Sequence, residues 1–249
     1  MKWKTHRAIT DKVLRHLGLG EDVVEACLEG VVEPDRGADF SLTLNSRGRL
    51  RLVRRAHHSF LRSLDSLAHI YRARKCVLEG RYRDAGYNLG LALHYIQDRC
   101  IKEAFFMDHG ELEDEAGRVP VSEQAIKQGF RDSISNPFKI ERIVLWSIWP
   151  SWTPQEAVWN ATYHTALISR AVFSLDPADF ERARAEKEKL VRWAKKSALA
   201  LLACIAATFI ASIISTSILL PLIIVDVTVM IPLAVILDRI NRIRKWFRV

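Results

Sequence analysis

Two pairs of side chains raise the first chemical question. In Leu89-Gly-Leu-Ala-Leu-His94-Tyr-Ile-Gln-Asp98 an imidazole precedes a carboxylate by four positions, and His109 precedes Glu113 by the same interval in Asp108-His-Gly-Glu-Leu-Glu-Asp-Glu115. On a helix this spacing puts both groups on one face, about one turn apart, where they can grip one metal ion. For the first pair alone, a core imidazole oriented by a nearby carboxylate explains the pattern as well. Repetition of the spacing shifts the balance. With His6, Asp35 after Pro34, and the doublet His57-His58, the set becomes imidazoles plus carboxylates, the mixture Zn²⁺ takes in hydrolytic sites. Cys27, Cys76, Cys100 and Cys204 form no short Cys-x-x-Cys pair and read as buried free thiols outside that set.

Helices must position these residues, because apolar residues recur at helical spacing and long alternating runs are missing before the tail. The expected order is a helix over Ile9 to Leu17 stopped by Gly18 and Gly20, then one over Asp22 to Val32 that ends before Pro34 and leaves Asp35 just outside it. Residues 36 to 52, polar and rich in Gly, Ser and Arg, read as a surface loop. His57-His58 opens a helix to about Glu79, Gly80 turns the chain, and a helix from Arg83 to about Met107 carries His94 and Asp98. After an acidic, Gly-containing stretch from Asp108 to Pro120, Val121 to Ser135, Lys139 to Trp149 and Gln155 to Leu175 read as helices punctuated by Pro137, Pro150 and Pro154. The expected fold class is all-α.

The order Trp3-Lys-Thr-His6, Pro34-Asp35, His57-His58, Leu-His94-x-x-x-Asp98, His109-x-x-x-Glu113 resembles that of the zinc-dependent phospholipase C family and its relatives, the single-strand-specific zinc nucleases. The likeness spans residues 3 to about 113; Leu-Gly-Leu-Ala-Leu-His-Tyr-Ile-Gln-Asp is its most specific piece, and the remainder is order and spacing. It implies a multi-helix phospholipase C-like domain over residues 1–180 that hydrolyses a phosphodiester with two or three Zn²⁺ ions. In that mapping Asp98 bridges two ions, one also held by His6 and the other by His94, His58 and Asp35, while His109 and Glu113 hold the third. The counterpart of Asp35 lies beside the water nucleophile and acts as general base. The chain departs from the family twice. The family's tryptophan is the mature N-terminal residue and ligates through its free amine and carbonyl, whereas Trp3 follows Met1 and Lys2; and the family's histidine six residues after the helical Asp is here Ala104, with Glu103 beside it.

Other residues carry two readings. His164, on an apolar helical face, is either a core histidine or a substitute for the missing imidazole; His16 and His69 take ordinary helix roles. Trp146, Trp149 and Trp152 recur every three residues, which suits both an indole lip where an apolar surface meets headgroups and plain core packing.

No charged residue occurs from Ser197 to Val225, a stretch longer than the roughly 20 residues that cross hydrocarbon. Lys187, Lys189, Arg192, Lys195 and Lys196 precede it, and Arg239, Arg242, Arg244, Lys245 and Arg248 follow a second apolar stretch. Basic flanks at both ends favour a transmembrane hairpin over 197–238, between a basic juxtamembrane helix over 181–196 and a basic tail over 239–249. Asp226 and Pro232 leave a single crossing as the alternative. The net charge of +8 suits anionic membrane lipids or nucleic acid, and the basic residues beside the tail favour lipid headgroups. Charge persists through Arg15 with no apolar run, so the N-terminus does not read as a cleaved signal peptide, and the domain is expected on the cytoplasmic side of the cell membrane.

The function these readings imply is a membrane-anchored, zinc-dependent phosphodiesterase acting on a phospholipid or lipid-linked phosphodiester. A zinc-dependent nuclease and a non-catalytic membrane scaffold with a degenerate metal site are the alternatives. A reporter fused at residue 249 is expected on the cytoplasmic side; an external reporter rules out the hairpin and leaves one crossing.

Overall fold

The computed structural model describes residues 1–36, 40–44, 50–54, 61–101, 109–214 and 219–248, and helices dominate them. The chain divides into two compact units, Met1–Ser174 and Leu175–Val249. The first holds α1 (Trp3–His16), α2 (Glu21–Gly30), α3 (Leu61–Leu78), α4 (Tyr82–Asp98), α5 (His109–Ala116), α6 (Glu123–Asp132), α7 (Pro137–Arg142) and α8 (Pro154–Phe173). A single hairpin, β1 (Phe40–Leu44) and β2 (Leu50–Arg54), lies between α2 and α3 in the described residues.

That hairpin corrects the expectation of a loop over residues 36 to 52. Its strands pair antiparallel from Phe40↔Arg54 to Leu44↔Leu50. The alternation that drives them, Phe-Ser-Leu-Thr-Leu and Leu-Arg-Leu-Val-Arg, is only five residues long on each side of Asn-Ser-Arg-Gly-Arg. The polar average of the stretch hides that period of two. The acidic segment after Asp108 likewise forms a helix, α5, where a connecting stretch was expected.

In α1 the buried residues His6, Ile9, Thr10, Val13 and Leu14 form one stripe at helical spacing. Gly18, at φ 76°, ends it in the left-handed region, and Gly80, at φ 72°, does the same after α3. Side-chain caps start the later helices. Ser122 accepts from the Ala125 amide, Asn136 from those of Phe138 and Lys139, and Thr153 from that of Glu156. Pro137 and Pro154 occupy first-turn positions, where the missing N–H costs nothing.

Helix α4 is the centre of the unit and packs against α2, α3 and α8. Every residue from Ala92 to Asp98 is buried, so the end that carries His94 and Asp98 is enclosed on all sides. The approach of α2 to α4 is backbone against backbone: a Cβ on Gly90 would press into the Cys27 carbonyl, one on Gly30 into the Tyr87 carbonyl, and one on Gly86 would stand 2.5 Å from the Val23 carbonyl oxygen. Only glycine leaves room there.

The helix stops at Asp98 rather than running on to about Met107. Past it, the Ser151 amide donates to the Cys100 carbonyl at 2.9 Å and Ile101 pairs with Ser151 as a parallel bridge. This backbone pairing takes groups that a continuing helix would use. Arg99 fixes the exit further, donating to Ser63 Oγ (2.6 Å) and to the carbonyls of Val144 and Ile148. Those carbonyls belong to a π-helical turn, Ile143–Ser147, and the extended residue after it.

In the second unit α9 (Pro177–Ile214) and α10 (Leu219–Phe247) form a helical hairpin. Arg239 bonds Glu186 at 2.9 Å, and Phe180 and Phe247 meet edge to face at 5.4 Å, so the start of α9 lies beside the end of α10. α9 runs unbroken through residues 196 and 197, where the charge-free stretch begins, and α10 continues through Pro232. Among the described residues one helix is long and apolar enough, by length and composition, to cross a membrane: the span Pro177–Ile210.

Gly90→Ala tests the glycine contact. Overpacking a closed interface costs about 1–3 kcal/mol, and with backbone as the obstacle the upper end is expected. Denaturant unfolding checks it. Gly117→Ala, where the added Cβ meets only ordinary or slightly tight contacts at 3.3 Å, is the comparison expected to cost far less.

Candidate metal centre

α1 and α4 bring His6, His94 and Asp98 together with their ligand atoms within 4.8 Å of one another, all buried. Asp98 Oδ1 lies 3.0 Å from His6 Nε2, and Oδ2 lies 3.3 Å from His94 Nε2, so the two carboxylate oxygens face different imidazoles. The rings are neighbours, with centroids 4.6 Å apart.

The far side of each ring is occupied. His94 Nδ1 lies 2.9 Å from the Val31 carbonyl and His6 Nδ1 lies 2.7 Å from Gln97 Oε1, both acceptors, so each Nδ1 carries the proton. Gln97 Nε2 donates to Thr10 Oγ1 (3.1 Å) and Thr165 Oγ1 (2.9 Å), which leaves its Oε1 to accept from His6 Nδ1. Both Nε2 lone pairs are thereby directed to the carboxylate, the arrangement of metal-binding imidazoles whose other nitrogen is tied down. His6 Nε2, fully buried, makes no aligned hydrogen bond in the described residues. A divalent cation between such nitrogens and a carboxylate satisfies all of these atoms, and the donor set suits Zn²⁺.

A positive group also reaches Asp98. The α-amine of Met1 lies 2.5 Å from Asp98 Oδ1 and 2.9 Å from Glu113 Oε1. Met1, not Trp3, brings an amine here; Trp3 is half exposed on the surface of α1. Lys2 anchors the same stretch through an ion pair with Asp114 on α5. Burial works to push the Asp98 carboxyl up, but the Met1 ammonium, the largest of the opposing influences, holds the group well below the usual carboxylate range. Burial works to lower the Met1 amine, and the charges of Asp98 and Glu113 outweigh it and raise the amine above its ordinary value.

Asp35, in a short 3₁₀ turn over Pro34–Arg36, places Oδ1 3.9 Å from His94 Nε2, with its side chain about one-third exposed at 32%. Glu113 joins the cluster through the Met1 amine. His58, the His109 side chain, Glu103 and Ala104 lie outside the described residues. Of the seven residues expected from the sequence, four, His6, Asp35, His94 and Glu113, thus gather near the fifth, Asp98. Sequence reasoning missed the Met1 amine, Gln97 and the Val31 carbonyl; Gln97 alone left a signal, as a polar residue one helical turn from His94 on the same face.

His164 on α8 is buried outside this cluster, and its Nδ1 makes no hydrogen bond in the described residues. His16, exposed at the end of α1, bonds its own helix through the Lys12 carbonyl. Cys27, Cys76 and Cys100 are buried free thiols as expected, and Cys204 is half-buried. No protein-family model, curated protein or solved structure matches the chain.

His164 supplies a pH prediction. Burial first, and the Arg99 charge second, push its imidazolium down from 6.5 to about 4. The folded state therefore refuses a proton that the unfolded chain accepts. Stability is undiminished above pH 6.5 and falls as the pH drops from there towards 4, by on the order of 3 kcal/mol. His164→Leu is expected to flatten that fall, read as the difference in unfolding midpoint between the two proteins across this range in the presence of chelator; parallel slopes count against it.

Proposed function

We propose that the unit Met1–Ser174 is a metal-dependent phosphodiesterase, anchored to a membrane through α9 and α10, that hydrolyses a phospholipid or lipid-linked phosphodiester. The observation that carries this reading is the division of Asp98 between two imidazoles. One oxygen shares its surroundings with His6, Met1 and Glu113, the other with His94 and Asp35. This division supports a bridging role for Asp98 between two half-sites, and the resemblance would add His58 to the second and His109, with Glu113, to a third.

Zn²⁺ in such a site supplies Lewis acidity toward a phosphoryl oxygen and lowers the pKa of a bound water. The protein's own groups do the rest. Asp98 contributes charge where cations would otherwise repel one another. Gln97 and the Val31 carbonyl keep His6 and His94 in the tautomer that presents Nε2. Asp35, partly open to solvent beside His94, is the carboxylate in place to accept a water proton, while the more deeply buried Asp98 is not. The charge-free length of α9 would hold this chemistry at the surface where lipid phosphodiesters are concentrated.

One observation favours a non-catalytic scaffold instead. The Met1 ammonium by itself already neutralises Asp98, which closes the cluster without metal.

Asp98→Asn separates the two readings. Purified wild-type chain is expected to carry two or three Zn²⁺ and to hydrolyse a generic phosphodiester in a chelator-sensitive way. Asp98→Asn should lose more than one equivalent of zinc and fall to background activity, because an amide is a poor bridging ligand. Glu111→Ala, exposed on the same acidic helix as Glu113, should leave both unchanged. A folded Asp98→Asn protein with unaltered zinc ends the bridging assignment, and a wild-type protein without zinc or hydrolysis supports the scaffold.

A further inference from the structure

Between α7 and α8 the chain alternates between anchors and exposed indoles. Val144, Ile148 and Ser151 are buried, whereas Trp146, Trp149 and Trp152 are 64%, 72% and 60% exposed. The spacing of three that sequence left open between core and surface is therefore a surface feature. It is also firmly held: Arg99 donates to the carbonyls of Val144 and Ile148, the Ser151 amide donates to the Cys100 carbonyl, and Asn160 donates to Ser151 Oγ at 2.7 Å. Residues 99 to 101 directly follow Asp98, so the tryptophan segment is fixed to the same end of α4 as the site carboxylate.

We propose that this segment is a docking surface for an anionic phospholipid bilayer. Three large indoles presented on a fixed backbone expose an apolar surface that water disfavours and a protein interior does not use. Indole, apolar in body with one N–H donor, is the side chain suited to the boundary between acyl chains and headgroups. The charges around it select the sign of the lipid. On the segment itself, from Ser133 to Gln155, the exposed charged residues are the cations Lys139 and Arg142, while Glu141 is buried and accepts from the Tyr71 hydroxyl at 2.6 Å; the exposed acids Asp132 and Glu156 lie just beyond its two ends. The two cations carried by the segment match an anionic leaflet, each cation near the surface adding to the attraction. A lipid phosphodiester would then meet the protein at the end of α4 that carries Asp98. Docking needs neither a bound metal nor turnover.

The test uses the full chain reconstituted in phosphatidylcholine vesicles with or without phosphatidylserine. Trp149→Cys is made with Cys204→Ser, which leaves the new thiol with only the buried Cys27, Cys76 and Cys100, and is labelled with an environment-sensitive fluorophore; Glu25→Cys on the exposed face of α2 is the matched control. With phosphatidylserine present, the label at 149 is expected to shift to the blue and to lose fluorescence to nitroxides at headgroup depth, while the label at 25 does neither. Lys139→Glu with Arg142→Glu should weaken the serine-lipid-dependent docking by about fivefold per charge. Trp152→Cys carries the same readout should Trp149→Cys fail to fold. A label as water-exposed at 149 and 152 as at 25, or one shielded only as protein density rises, overturns the proposal; the latter would mean a second copy covers the surface. Because no readout involves hydrolysis or zinc, such a failure leaves the phosphodiesterase reading to its own experiment.

Discussion

A carboxylate enclosed at the end of a buried helix has to be met by positive charge or by metal, and the packing around α4 follows from that demand. Asp98 is 4% exposed. An isolated charge there would cost several kcal/mol, far more than one side chain's hydrophobic burial returns. Helix α1 therefore has to deliver His6, and the two residues before it the Met1 amine, onto α4, and α4 has to supply His94 one turn before Asp98. The Lys2–Asp114 ion pair ties the start of α1 to α5, the element that brings Glu113 to the same amine.

The rings are held from behind by parts that carry no charge. The Val31 carbonyl can reach His94 because Gly30, Gly86 and Gly90 let α2 lie against α4 without side chains between them. Gln97 reaches His6 while bonded to Thr10 of α1 and Thr165 of α8, so three helices share the orientation of one imidazole. A site braced in this way loses little entropy when it takes up an ion, which is what preorganisation means for a binding centre. The same end of α4 organises a second feature outward. Arg99, Cys100 and Ile101 pin the tryptophan segment by backbone contacts, so burial of the anchors and exposure of the indoles are two consequences of one pairing.

Much of this was legible in the residue pattern, and the misses have physical causes. His94 and Asp98 were readable because i, i+4 spacing on a helix is a local rule, and α2, α6 and α8 lie close to where periodicity and proline placed them, whereas α1 begins at Trp3, six residues before the expected Ile9, and so carries His6. The hairpin was missed because two five-residue alternations are shorter than the window in which a helix or strand period stands out. The end of α4 was overrun because Arg99 to Ile101 continue the helical pattern locally and are diverted only by pairing with Ser151, fifty positions away in sequence. The amine of Met1 was invisible to a reading of side chains, and its partners, Asp98 and Glu113, are brought to it only by the fold. The exposure of Trp146, Trp149 and Trp152 could not be chosen from a spacing of three, since both faces of a turn obey the same count.

His6, His94 and Asp98 are the ligands on which the proposed metal site depends, and zinc K-edge X-ray absorption on the purified protein reads the surroundings of the bound zinc directly. It should report nitrogen and oxygen neighbours at about 2.0–2.1 Å with the outer-ring scattering of imidazole. Substoichiometric zinc, or a sulfur shell at about 2.3 Å that places the ion on cysteine, would contradict it.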